Sequence, residues 1–254
     1  QYRRGDVKTP PPVVVQTIDL DDLFAMKGSG TWSADVLDEL RRKDVPADAK
    51  IDGPVSAIDP LSCYVGPVVR RFGKGQSSMA NLPRFIDRRN HTVASITGEL
   101  TWDFATGIAR VNTPRSQGAA GFLAKAGRIE LADLTIESAN EFATIHAIAL
   151  DNQPLASSNR ILIQVMTEDQ PLGFKVRGNT IEELGRAPFG VRRIKGTLSL
   201  KFDKPLQARL TALDENGYAT DRSPKVTGNG VSEPLRIDLL DDCVYYILTR
   251  TPAK

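Results

Sequence analysis

TVASITGELTWDFATGIARVNTPRSQGAAGF, the run from Thr92 to Phe122, alternates apolar and polar residues and reverses at a turn. It alternates again, then breaks at Thr113-Pro114 before a third apolar run. Successive side chains on a strand point to opposite faces, so this pattern predicts a twisted antiparallel β meander. Ser95 to Phe104 and Ile108 to Asn112 are expected to pair across Ala105-Thr106-Gly107, whose glycine suits a positive φ. Ser116 to Leu123 supplies the third strand. Period-2 alternation puts Leu100, Trp102 and Phe104 on one face, and with Ile108 and Val111 they are assigned to an interior.

The same rhythm continues toward the C-terminus. Ile129 to Leu131 and Leu134 to Glu137 flank the turn-prone Ala132-Asp133. Ala143 to Leu150 and Arg160 to Met166 flank Asp151-Asn152-Gln153-Pro154, a strong turn signal. Gly173 to Arg177 and Gly190 to Ile194 follow on either side of a polar stretch. Gly196 to Phe202 and Gln207 to Leu213 read as a hairpin around Asp203-Lys204-Pro205. A tight turn at Asp214 to Gly217 precedes Tyr218, and Leu235 to Leu239 and Val244 to Thr249 close the chain. Strands at this spacing without βαβ alternation predict an all-β fold, an antiparallel β-sandwich of jelly-roll-like type, and not a doubly wound or complete TIM-type fold.

Upstream of the meander the reading changes. The prolines of QYRRGDVKTPPP (Gln1 to Pro12) favour an extended linker, and Val13 to Thr17 is a plausible strand. Asp19 to Phe24 reads as a capped helical turn, and Ser33 can cap a second helix over Ala34 to Lys43 that Pro46 ends. Lys50 to Pro67 reads as loop with a strand around Leu61 to Val65. Residues 1–90 are therefore expected to form a linker and short mixed, α-containing segment packed on a sandwich of residues 91–254. Val68 to Asn90 is locally basic; it could bind an anion, though such runs are ordinarily solvated surface.

The 254 residues carry 33 Lys and Arg against 31 Asp and Glu, a net charge of +2. That near-balance does not point to a nucleic-acid partner, which needs a concentrated basic stripe. No apolar run approaches the roughly 20 residues that span a bilayer as a helix. The chain starts at Gln1 without Met or an apolar leader, as a processed protein or a piece of a longer one would. Cys63 and Cys243 each sit among apolar residues; two buried free thiols are the plain reading, one long-range disulfide the alternative. With only these cysteines and His91 and His146, a Cys/His zinc site is not expected.

Candidate chemistry is sparse. Glu99 and Asp103 lie four residues apart, roughly 13 Å along a strand, beyond either glycosidase carboxylate spacing. Glu137 and Glu141 straddle a turn and could approach, but paired acids act as acid and base only when burial separates their pKa values. His146 reads as a histidine held within a sheet. Ser157 and Ser158 lack a glycine elbow, and Gly73 to Ser78 lacks Walker spacing. No catalytic residue, metal ligand or cofactor is assigned. Trp32, Tyr64 and Tyr218 lie in or beside loops, where an aromatic ring can stack on a sugar; with 6% aromatic residues, a small site is expected and not a broad strip.

Thr97 to Phe122, followed by HAIALDNQPLASSNRILIQVM (His146 to Met166), resembles a β-rich C-terminal region that follows a glycoside-hydrolase-like barrel in large bacterial proteins. YRRGDV (Tyr2 to Val7) looks like the exit from such a barrel. The resemblance implies a polysaccharide-processing context and a secreted or cell-envelope location. The family's catalytic carboxylates would sit on barrel strands, and this sequence holds no barrel, so none is carried over.

The expected function is a non-catalytic accessory β-sandwich domain of a carbohydrate-active protein, partnered by polysaccharide or by an upstream catalytic domain. The alternatives are a structural or assembly module of an extracellular protein and an autonomous hydrolase using Glu99, Glu137 or Glu141.

Overall fold

A computed structural model describes residues 1–24, 58–204 and 206–252. The expected helix over Ala34 to Lys43 lies outside the described residues. The chain divides into two compact units, Lys8–Ala105 in one and Gln1–Val7 with Thr106–Lys254 in the other. The fold is all-β, built almost wholly from antiparallel sheets, and its helices among the described residues are a turn or so long.

In the Lys8–Ala105 unit, β1 (Val14–Ile18) and helix α1 (Leu20–Phe24) fall where the β-branched run and the acidic turn predict them. Asp19 caps α1 by accepting a hydrogen bond from the Asp21 N–H at 2.9 Å. Leu61 to Val65 is not a strand but helix α2 (Ser62–Val65). Its entry is fixed by Asp59, whose carboxylate accepts from the Leu61 N–H and whose carbonyl accepts from the Ser62 N–H, both at 2.9 Å. β2 (Val68–Phe72) then pairs with β1 in parallel, Val14 opposite Val68, and β3 (Ser78–Met79) lies antiparallel on the other side of β1. The parallel pair lies within the segment expected to be mixed, outside the antiparallel sandwich.

β4 (Ile86–Asp87), β5 (Thr92–Ala94) and β6 (Leu100–Asp103) form an antiparallel meander in that unit. The single strand expected over Ser95 to Phe104 is therefore broken. Gly98, at φ 72°, turns the chain, and Ser95 closes the turn: its Oγ accepts from the Leu100 N–H at 3.0 Å and its N–H donates to the Leu100 carbonyl at 2.8 Å. Alternation runs unbroken through a turn this tight, which is why the sequence pattern hid it. Val13, Val14, Val65, Leu82, Ile86 and Val93 make a small core against which Trp102 packs.

The larger unit is a two-layer sandwich. It contains β7 (Ile108–Asn112), β8 (Ser116–Gly121), helix α3 (Leu123–Ala126), β9 (Arg128–Glu130), β10 (Leu134–Ser138), β11 (Ala143–Ala149) and β12 (Arg160–Thr167). β13 (Asp169–Leu172), β14 (Lys175–Arg177), β15 (Thr180–Glu183) and β16 (Arg186–Val191) come next. β17 (Gly196–Leu200), β18 (Leu206–Leu213), β19 (Val226–Thr227), β20 (Leu235–Asp238) and β21 (Tyr245–Pro252) complete it. One layer runs β19-β20-β17-β10-β9; the other, within this unit, runs β18-β21-β12-β11-β8-β7. The rung Ile136–Leu198–Ile237 of the first layer and the rung Ala147–Ile163–Tyr246 of the second belong to one core.

Gln117 stitches the layers. Buried on β8, its Oε1 accepts from the Asp133 and Leu134 N–H groups at 2.8 and 3.0 Å, while its Nε2 donates to Asp133 Oδ2 at 2.7 Å. A buried amide satisfied on both ends is stabilising; unsatisfied, it costs.

Two further expectations change. Gly196 to Phe202 and Gln207 to Leu213 are not a hairpin: β17 pairs with β10 and β20, β18 with β21, in opposite layers. Past β17 the chain stays with its own layer, Lys201 N–H donating to the Asp133 carbonyl and Phe202 N–H to the Gly230 carbonyl, before it crosses. Ile108 and Val111 lie three apart on β7 and so on opposite faces; Ile108 is core, whereas Val111 is half-buried and outside it.

Candidate functional site

The most site-like surface lies on the Lys8–Ala105 unit, where four aromatic rings follow one another. Trp102 and Phe104 share a face of the β6 strand and its extension, with ring centroids 5.6 Å apart. Tyr64, presented by α2, extends the row beyond Trp102 at 4.5 Å and a 32° tilt. At the other end His91 meets Phe104 edge-on, 5.3 Å away at 87°. The backbone explains that last contact: the Phe104 N–H donates to the His91 carbonyl at 2.9 Å, one rung beyond the β5–β6 pair Thr92–Asp103. His91 takes a left-handed φ of 53° to leave the strand there.

The row is graded in exposure. Tyr64 is 48% exposed, His91 is exposed, and Trp102 and Phe104 are half-buried. Trp102 therefore has two roles, one edge on the small core around Val93 and the rest of the ring in the row. Aromatic rings in tilted and edge-to-face contact hold one another in place. The exposed part of the row offers apolar ring surface to a ligand with axial C–H groups.

Of the three residues predicted to bind sugar, Tyr64 is in this row. Tyr218 belongs to the other unit and is 72% exposed at the Asp214–Tyr218 turn, where its N–H donates to Asp214 Oδ1 at 2.8 Å. It has no ring neighbour among the described residues. Trp32 lies outside the described residues. Sequence reasoning placed Trp102 and Phe104 in the interior and gave His91 no role. The signal available was the i, i+2 spacing of Trp102 and Phe104, which marks a shared face without saying whether it is covered.

The candidate carboxylates Glu99 and Glu137 each have a cationic partner. Glu99 is buried and accepts from the Lys8 N–H at 2.8 Å, with Lys8 Nζ 3.7 Å away. Glu137 accepts from Arg128 at 2.6 Å and has Arg236 at 3.5 Å; the Arg128 hydrogen bond holds its carboxyl below the usual range. Glu141 is exposed. A general acid needs a raised pKa, and Glu137 shows the reverse. His146 sits on β11 with its ring over Gly118, and burial pushes its pKa down. Among the described residues no three His, Cys, Asp or Glu side chains gather as a metal site. Both cysteines are free: Cys243 is buried as expected, while Cys63 is exposed on α2 because its short helix turns it away from the Val65 side.

No family model, no curated protein and no solved structure matches this chain. No helix among the described residues is long and apolar enough to cross a membrane.

Proposed function

We propose that this chain is a non-catalytic accessory domain of a carbohydrate-active protein and that it binds glycan along the Tyr64–Trp102–Phe104–His91 row. The observation that carries this reading is the row itself: four rings in consecutive contact, open at both ends. Consecutive sugar rings present flat apolar faces, and a line of aromatic faces offers each a stacking partner. The resemblance of Thr97 to Phe122 and His146 to Met166 to the β-rich region of glycoside-hydrolase-like proteins supports the same context. It would place the domain outside the cell or in the envelope, beside a catalytic domain carried elsewhere.

The acids that a self-sufficient hydrolase would use favour the non-catalytic reading, since Glu99 and Glu137 are each tied to a cation. The test is affinity electrophoresis of the chain through gels containing a panel of neutral and acidic polysaccharides. Retardation by at least one is expected, and Tyr64→Ala, which removes an exposed ring and no core contact, should weaken it about tenfold, or ~1.4 kcal/mol. Migration unaffected by every polysaccharide would overturn the proposal.

A further inference from the structure

Between β12 and β17 the larger unit extends a β arm. β13 pairs antiparallel with β16, Pro171 opposite Phe189, and the chain between them folds into a second hairpin, β14 with β15, Val176 opposite Ile181. Gly185 fixes the neck between the two: at φ 70° it passes so close that a Cβ there would sit 2.8 Å from the Leu172 carbonyl oxygen and 2.9 Å from Pro171 Cβ. Every strand residue in the arm except Pro171 is exposed.

What the arm exposes is apolar. Leu172, Val176, Ile181, Leu184, Phe189 and Val191 are all open to solvent, with Leu184 at 74% and Phe189 at 65%. At those exposures the six present on the order of 600 Å² of apolar surface in total, against the roughly 800 Å² one side of a stable interface needs. Register puts Phe189 and Val191 on one face of their hairpin, and Val176 with Ile181 on one face of theirs. The arm pays the ordering entropy of two hairpins and leaves their apolar rungs uncovered, an unstable arrangement for a two-stranded ribbon on its own.

We infer that the arm is a self-association surface, and that a second copy of this chain covers it by packing apolar face on apolar face in a two-fold dimer. Two observations select that occupant. First, the arm is electrically balanced: from 168 to 192 the acids Glu168, Asp169, Glu182 and Glu183 are matched by Lys175, Arg177, Arg186 and Arg192. Lys175–Glu183 and Arg177–Glu182 are paired at 2.6 and 2.8 Å. A polyanion or an anionic bilayer calls for a basic excess, which is missing, whereas a balanced surface meets its own copy without repulsion. Second, Pro171 and Pro188 each remove a backbone donor from the β13–β16 ribbon, which disfavours strand addition there. An isologous contact, with the same face on both copies, closes on a two-fold axis, where a head-to-tail contact would propagate.

The association does not depend on glycan binding, because the arm and the aromatic row belong to different units and have separate readouts. Sedimentation of the full chain over about 1 to 100 μM, a range set by a micromolar dissociation constant, should show the mass doubling with concentration. Ile181→Asp and Leu184→Asp should each raise the dissociation constant at least tenfold without moving the thermal midpoint of the dilute, monomeric chain, while Tyr64→Ala should leave the dissociation constant unchanged. Hydrogen exchange of the unsubstituted chain gives a readout that needs no variant: the amides of 172–191 should be slower at high concentration than at low. A monomer at every concentration overturns the inference, whether or not the chain floats with phosphatidylcholine–phosphatidylserine vesicles. So does a dimer whose arm amides gain no protection.

Discussion

Two regions of the larger unit, the β11–β12 hairpin and the β13–β16 arm, are built from the same kinds of residue and end in opposite environments. In β11–β12, Ile145, Ala147, Ile161, Ile163 and Val165 alternate with polar or half-buried neighbours and are at most 1% exposed. In the arm, Val176, Ile181, Phe189 and Val191 occupy equivalent strand positions and are 44% exposed or more. The difference is not propensity, since β-branched and aromatic residues suit both. It is whether a second layer lies opposite: β10, β17 and β20 close over β11–β12, and no strand among the described residues pairs with the arm beyond its own hairpins. The same side chains are stabilising in one place and available to a partner in the other.

Substitution should separate the two regions widely. Ile163→Ala, at the middle of the Ala147–Ile163–Tyr246 rung, leaves a cavity between two rigid sheets and should cost about 2–5 kcal/mol, read from denaturant midpoints. Gly118→Ala should cost about 1–3 kcal/mol, because the added Cβ would lie 2.2 Å from His146 Nδ1 and 2.5 Å from the Ile145 carbonyl oxygen. The imidazole can swing aside but the backbone oxygen cannot, so removing the ring as well, in Gly118→Ala with His146→Ala, should recover only part of the loss. At the other extreme Ile181→Ser in the arm, measured on dilute chain, should change stability by no more than about 0.5 kcal/mol. A loss there comparable with Ile163→Ala would mean that the arm is integral to the sandwich fold, and the contrast between the hairpins would fail.

Much of the β framework was legible. Ile108 to Asn112 is found with its predicted bounds, and the strands around Leu134, Ala143, Arg160 and Gln207 each differ from expectation by one residue at one end. The turn at Asp151 to Pro154 was legible too, though not its lock: Ser158 Oγ donates to Asp151 Oδ1 at 2.7 Å and the Asn159 N–H to Asp151 Oδ2 at 2.7 Å. The candidate site was legible only at Tyr64. Trp102 and Phe104 were correctly put on one face, but the face is shared between a small core and an open row, and α2, which brings Tyr64 to Trp102, was read as a strand.

Alternation and turn residues by themselves determined that this chain is all-β and where most of its strands run. Those features are local: a period of two and a positive-φ glycine are written in adjacent residues. Which layer a strand joins is decided by pairing across tens of residues, as β17 and β18 show by parting at the turn that was expected to unite them. Whether an apolar face is covered is decided by what packs over it, and so only the tertiary structure could distinguish the buried Ile163 from the open Ile181, or turn Tyr64, Trp102, Phe104 and His91 into a single surface.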